Sequence, residues 1–179
     1  MAGRVMTSPK RSTERSLASG SLLWALFSFA GRMKRLDFLL ASLALAIGHV
    51  VLVILALAVT RGGMKDPSGY AVRGIIDLAL LWPSAAIAAK RGHDRNRPAA
   101  RSILLIGLVY GAGAAMGYLL DAGLRNVGGA CGLFALAGWV YVFIDYGLID
   151  GTPGTNPYGP SPRFAARPGV GDHLAGVFD

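Results

Sequence analysis

The chain has 179 residues, of which 53% are hydrophobic and only 16% charged, with a mean hydropathy of +0.48 and a formal net charge of +8. Charged residues make up about a quarter of an ordinary soluble domain, and a disordered chain is poorer in apolar side chains, so neither description fits the whole. The composition is that of an integral membrane protein.

Residues 1–20 read as a disordered basic tail. Ser21 to Ala30 (SLLWALFSFA) has the length of a signal-peptide core. It is followed at once by Gly31 and Arg32 and lacks a small-residue cleavage pattern. An uncleaved interfacial helix, capped by Ser21 and anchored by Trp24, is the better reading.

A membrane domain of four helices is predicted over residues 21–150. The first span, 38–59, holds 22 residues without a formal charge. At ~1.5 Å per residue it covers ~33 Å, enough for a ~30 Å hydrocarbon core. The second, 72–89, carries Asp77 and has Pro83 in mid-course; Arg73 lies four residues before Asp77, on the same helix face. The third and fourth, 103–120 and 127–144, have 18 residues each, near the lower limit for crossing. Residues 151–179 contain six Gly and five Pro and read as an irregular Gly/Pro-rich tail.

Basic residues set the orientation. Fourteen fall before span one, between spans two and three, and after span four, against four on the other side (Arg61, Lys65, Arg73 and Arg125). The positive-inside rule then predicts cytoplasmic N- and C-terminal regions. The basic residues form short blocks between apolar runs, which points to anionic headgroups and not to nucleic acid. A lone Cys131 excludes an internal disulfide and any multi-cysteine metal site, and no cofactor is expected.

Gly107 and Gly111, Gly113 and Gly117, and Gly128 and Gly132 repeat at small-xxx-small spacing, which serves packing within the monomer or a homodimer seam. His49 sits near the middle of span one, where an ionisable group is costly. It is read either as a neutral imidazole bonded to a neighbouring helix or, with Asp77, as part of a proton path. His93 and Asp94 are adjacent in the second basic block, but three histidines in the whole chain are too few for a phosphohydrolase-like metal centre, and no metal site is expected. No catalytic residues are assigned.

The compact polar motifs all abut helix ends on the predicted cytoplasmic side: Phe29-Ala30-Gly31-Arg32 with Arg35, then Lys90 to Arg97, then Gly151 to Pro160. Pro98 suits the first turn of span three, whose N-terminus would face the same layer. Arginines beside it would make a phosphate or headgroup site. Alternatively, they pair with Asp37, Asp94, Asp145 and Asp150 and hold the bundle together.

In order and spacing these motifs resemble the domain-of-unknown-function 805 family of small bacterial inner-membrane proteins. The resemblance rests on Phe29, Gly31, Arg32 and Arg35; on Arg91, His93, Asp94 and Arg97; and on Gly154, Asn156, Tyr158, Gly159 and Pro162. It covers about Leu22 to Pro162. The middle loop departs from the family pattern, with Gly92 where Leu is usual, Asn96 where Gly is usual, and Pro98-Ala99-Ala100 in place of a Ser-Gly-Trp-like run. The resemblance implies a helical inner-membrane bundle and implies no activity.

The expected protein is therefore an all-α, four-helix inner-membrane protein, non-enzymatic, with a cytoplasmic rim that binds anionic headgroups or a partner. Arg32, Arg35, Arg91 and Arg97 would supply charge, with His93, Asp94, Asn156 and Tyr158 shaping the rim. The alternatives are a small transporter or channel subunit, with His49 and Asp77 on its path, and an accessory subunit of a larger membrane complex.

Overall fold

The computed structural model describes residues 22–59 and 67–163, with side chains from residue 69 onward in the second stretch. The basic tail, the predicted cap Ser21, the loop residues Arg61 and Lys65 and the last part of the Gly/Pro-rich tail lie outside the described residues. The described residues form α1 (Leu22–Phe27), α2 (Arg35–Val59), α3 (Pro67–Asp94), α4 (Ala99–Asp121) and α5 (Arg125–Val142), which continues into a π-helical segment (Phe143–Leu148). Four of these helices are long and apolar enough to cross a membrane: Arg35–Val59, Gly69–Asp94, Ala99–Asp121 and Arg125–Leu148.

Each span runs past the limits drawn from hydropathy, because polar residues at its ends still suit a helix. Asp37 sits in the first turn of α2 and Arg91 in the last turn of α3, each of the sign that the helix dipole favours. Pro83 is buried inside α3 without interrupting it. A lost backbone bond there is tolerable because neighbouring helices enclose the site.

Chain neighbours pack antiparallel. Met33, just before α2, bonds to Lys90 near the end of α3, while His49 of α2 meets Asp77 of α3. Tyr70 and Arg73 of α3 lie against Asp121 and Gly117 of α4. Gly128, Gly132 and Gly138 of α5 face Leu120, Met116 and Val109 of α4. The glycine stripe thus divides: Gly128 and Gly132 allow close contact between α4 and α5, whereas a Cβ at Gly107, Gly111 or Gly113 would meet nothing within 4 Å.

The outside of the bundle is apolar. Leu36, Leu40, Leu43, Ile47, Val50 and Ile54 of α2 are all exposed, and their spacing follows one face of the helix. A water-soluble bundle would turn that face inward; here it suits lipid. The protein is a multi-pass membrane protein by these four spans.

Burial concentrates in α3. Every residue from Pro83 to Asp94 is buried, including Lys90, Arg91, His93 and Asp94. Around this half-helix lie Phe38 of α2, Ile106 of α4, Val142 of α5 and Tyr146 of the π segment. The α1 helix contributes Trp24 and Leu26, and the linker after it Phe29, to the same packing, while Leu22, Leu23 and Phe27 of α1 stay exposed.

A tight turn joins α3 to α4. Arg97 N–H donates to Gly92 O and Asn96 N–H to His93 O, at 2.9 and 3.0 Å, the paired bonds of a Schellman cap. Asn96 takes the left-handed conformation at φ 56°, which Asn tolerates better than most residues with a side chain. This accounts for Asn in place of the Gly that the resemblance leads one to expect.

Candidate functional site

The three motifs meet at the end of α3. Arg32 comes from the linker between α1 and α2. Arg91 and Asp94 stand one turn apart on α3, and the third segment runs back beneath them after the π helix. Asp94 Oδ1 accepts from Arg32 Nε at 3.0 Å and lies 2.9 Å from Nη2, while Oδ2 pairs with Arg91 Nη1. Arg32, Arg91 and Asp94 are 7%, 1% and 3% exposed, so all three charges are out of solvent.

Two buried cations around one carboxylate leave an excess of positive charge, and backbone carbonyls offset it. Arg32 Nη1 donates to Gly154 O and Gly159 O at 2.8 and 3.1 Å, and Nη2 to Thr152 O at 2.6 Å. Arg91 Nε donates to Tyr146 O at 2.6 Å and Nη2 to Ile149 O at 2.5 Å. Those two carbonyls close the π segment, where a helix end leaves oxygens without partners of its own. Arg91 is therefore a cap supplied by another helix, and its charge matches the negative end of the dipole it covers.

The neighbouring residues of α3 do the same for other elements. Lys90 Nζ donates to Trp24 O at 3.3 Å and to Ser28 O, capping α1, and sits 5.1 Å from the centre of the Trp24 ring. His93 Nδ1 lies 3.0 Å from Gly31 O. The Asp94 carbonyl accepts from Thr152 N–H at 2.8 Å and from its hydroxyl at 3.0 Å. Four residues of one helix, Lys90, Arg91, His93 and Asp94, thus hold α1, the linker, the π segment and the third motif in place. Among the described residues no buried side-chain nitrogen or oxygen lacks a hydrogen-bond partner.

Asn156 and Tyr158 complete the third motif. Asn156 Nδ2 donates to His93 O at 2.8 Å and its Oδ1 accepts from Tyr158 N–H at 2.9 Å. That turn lays the Tyr158 ring on the His93 imidazole, 3.8 Å between centres and 5° from parallel. Close approach is built in: a Cβ at Gly151 would overlap the Asp94 carboxylate, and one at Gly92 would overlap the Ser102 hydroxyl.

Two further carboxylates repeat the pattern nearer solvent. Asp145 pairs with Arg95 at 3.0 Å and with Arg97; Asp150 pairs with Arg35 at 3.1 Å and with Arg163. The Arg163 hydrogen bond holds the Asp150 carboxyl below the usual carboxylate range. Three aspartates at this end therefore each carry two arginines. Beneath Asp145, the buried hydroxyls of Ser102 and Tyr146 meet at 2.9 Å.

The geometry changes the roles expected of individual residues. Arg32 and Arg91 are occupied inside the protein and do not present charge outward. Arg35 and Arg163 are about half exposed, at 55% and 45%, and Arg97 is partly so. Both Asp94 oxygens are taken by arginines, His93 Nδ1 faces Gly31 O, and no group of three or more metal-ligating side chains occurs among the described residues. Lys90, Arg95 and Thr152 fall within the motifs read from sequence but without the roles the structure gives them, and Tyr146 lies outside those motifs. The signal for Lys90 and Arg95 lay in the unbroken apolar run leading into the basic block. Thr152 and Tyr146 act through backbone and side chain alike, and no sequence signal marked either role.

Away from this end, His49 Nε2 lies 3.2 Å from Asp77 Oδ1, and Arg73 Nε is 3.8 Å from the other Asp77 oxygen. His49 also lines a cavity of about 640 Å³ between α2 and α5, backed by α3 and α4.

A family model described as a protein of unknown function (DUF805) matches residues 26–160. Two relatives from Escherichia coli, of strain K12 and of O157:H7, are both described as uncharacterized protein YiiR. Each is 31% identical over 140 residues, covering 75% of this chain and 85% of the relative. No solved structure matches the chain. The family match takes in Arg32, Asp94 and Tyr158 with the four spans between them, and the chain belongs to the DUF805 family.

Proposed function

We propose that this is a non-enzymatic protein of the bacterial inner membrane, with the motif-bearing end of the bundle facing the cytoplasm and binding anionic lipid headgroups. One observation carries the reading. The described part of this end has nine lysines and arginines against four aspartates, and the arginines that finish the internal frame leave others at the surface. An excess of cations at a membrane interface favours anionic lipid, and the same bias favours the cytoplasmic side. The buried Asp94 assembly serves as a fixed platform, so that Arg35, Arg97, Arg101 and Arg163 are held at the rim without further ordering. Both Asp94 oxygens are held by Arg32 and Arg91, which leaves that carboxylate occupied within the protein.

The reading is tested by native mass spectrometry of the full chain in mild detergent, comparing wild type with an Arg35→Gln, Arg101→Gln, Arg163→Gln variant. The triple variant is expected to retain at least threefold less phosphatidylglycerol, with helicity unchanged. Equal retention by a folded variant would contradict it.

A transporter reading is favoured by a different observation, the cavity that reaches His49 beside the Asp77 and Arg73 pair. It requires water at His49. In a Cys131→Ala background, a cysteine at position 49 would then react with a water-soluble thiol reagent, and a protected thiol would count against transport of polar species.

A further inference from the structure

The cavity between α2 and α5 is lined mainly by apolar side chains, with Ser42, His49, Ser84 and Tyr110 as its polar groups. Leu43 and Ala46 of α2 form one flank and Trp139 of α5 with Phe143 of the π segment the other, while Ile87 and Ile106 form its back. The flank residues are themselves exposed on the outside of the bundle, so the cavity opens sideways between α2 and α5. What lies there in a membrane is hydrocarbon.

Its dimensions narrow the occupant. The lining on α2 runs from Phe38 to Val50, about 18 Å at ~1.5 Å per residue. One leaflet of a ~30 Å hydrocarbon core is ~15 Å deep. The volume falls within the roughly 300–1,000 Å³ of small-ligand sites. The cavity is therefore as long as one acyl chain and starts at the basic end of the bundle.

Charge at the mouth says which lipid. Arg35 lies four residues before Leu39, a cavity-lining residue, and so on the same helix face one turn nearer the interface. Arg35 and Arg163 share the single carboxylate of Asp150, and all three are about half exposed. Two guanidiniums on one carboxylate leave a net positive charge, and a guanidinium fork suits a phosphate.

We propose that this cavity is a lipid site, holding one acyl chain of an anionic phospholipid whose phosphate is met by Arg35 and Arg163. The proposal rests on the reading that the basic end binds anionic headgroups, and adds a chain-binding site to it.

The test titrates the full chain with dioleoyl phosphatidylglycerol in native mass spectrometry, with dioleoyl phosphatidylcholine as the uncharged-net control. Ala46 is exposed, so Ala46→Trp fills the cavity from its rim without entering packed protein. It is expected to weaken binding of both lipids at least tenfold. Arg35→Gln with Arg163→Gln is expected to abolish the preference for phosphatidylglycerol while one phospholipid still binds. If Ala46→Trp binds as wild type does and the arginine variant loses its preference, the chain site is overturned and the headgroup reading stands. If the arginine variant keeps its preference, the assignment of the phosphate is overturned. Competition by chain-free glycerophosphoglycerol as effective as that by the lipid would overturn the chain site and leave an anion site only. Should the tryptophan variant fail to fold, a phosphatidylglycerol carrying a diazirine in one acyl chain decides the matter in wild type. Crosslinks concentrated on Leu43 and Trp139 support the site, and crosslinks spread evenly around the bundle overturn it.

Discussion

Asp94 is a carboxylate whose surroundings leave it no freedom. Removing its charge would leave Arg32 and Arg91 buried against carbonyls alone, and an unpaired buried charge costs about 3–5 kcal/mol. The close fit extends to atoms that carry no charge. A methyl group at Gly151 would land on the Asp94 carboxylate, whereas one at Gly107 would meet open space. Gly151→Ala should therefore lower stability by about 1–3 kcal/mol, the usual range for overpacking. Gly107→Ala should be neutral or slightly stabilising, because alanine is the better helix former. Thermal unfolding of the two variants in the same detergent checks the pair. Equal effects would mean that the third segment does not approach Asp94 as closely as described.

Among the elements, α3 is a membrane span at one end and a connecting hub at the other. Its last turn caps α1 through Lys90 and the π segment through Arg91, so two other helical elements end on it. The turn that follows aims Arg95 and Arg97 at Asp145 and depends on the left-handed Asn96. Asn96→Gly should be tolerated, and Asn96→Val should cost about 1–2 kcal/mol, because a β-branched side chain is poorly accommodated there. Denaturation midpoints of the two would separate them, and identical midpoints would show that the turn does not constrain the hub.

The element boundaries illustrate what a sequence can and cannot say. Hydropathy located all four spans because lipid demands apolar side chains over most of a crossing. It placed the end of α3 at residue 89, since Lys90, Arg91, His93 and Asp94 look like loop chemistry. They continue the helix because their partners are carbonyls and charges brought in from distant parts of the chain, and pattern alone does not reveal those. A short helix around Trp24 was legible from its apolar segment; the bond between the Trp24 carbonyl and Lys90 was not.

For the molecule as a whole, the sequence placed three motifs at one end of the spans, and the structure joins them through Arg32, Asp94 and the Thr152 to Gly159 segment. Their common end followed from counting spans; their contact depended on which arginines turn inward. Charge type did not distinguish Arg32 and Arg91, buried, from Arg35 and Arg163, exposed. Only the packing of Pro83 to Asp94 within the other helices does so. The cavity between α2 and α5 was likewise not legible, since it arises from a gap between helices far apart in sequence.

The central claim is that the buried Arg32–Asp94 pair fastens the first motif to the second and, through shared carbonyls, to the third. A double-mutant cycle with Arg32→Met and Asp94→Asn, read by unfolding in mixed micelles, tests it most directly. Neighbours in one network are non-additive, so a coupling energy on the order of 2 kcal/mol is predicted, with the double variant far more stable than the sum of the single losses implies. Strictly additive losses would show that the two residues act independently and would contradict the account.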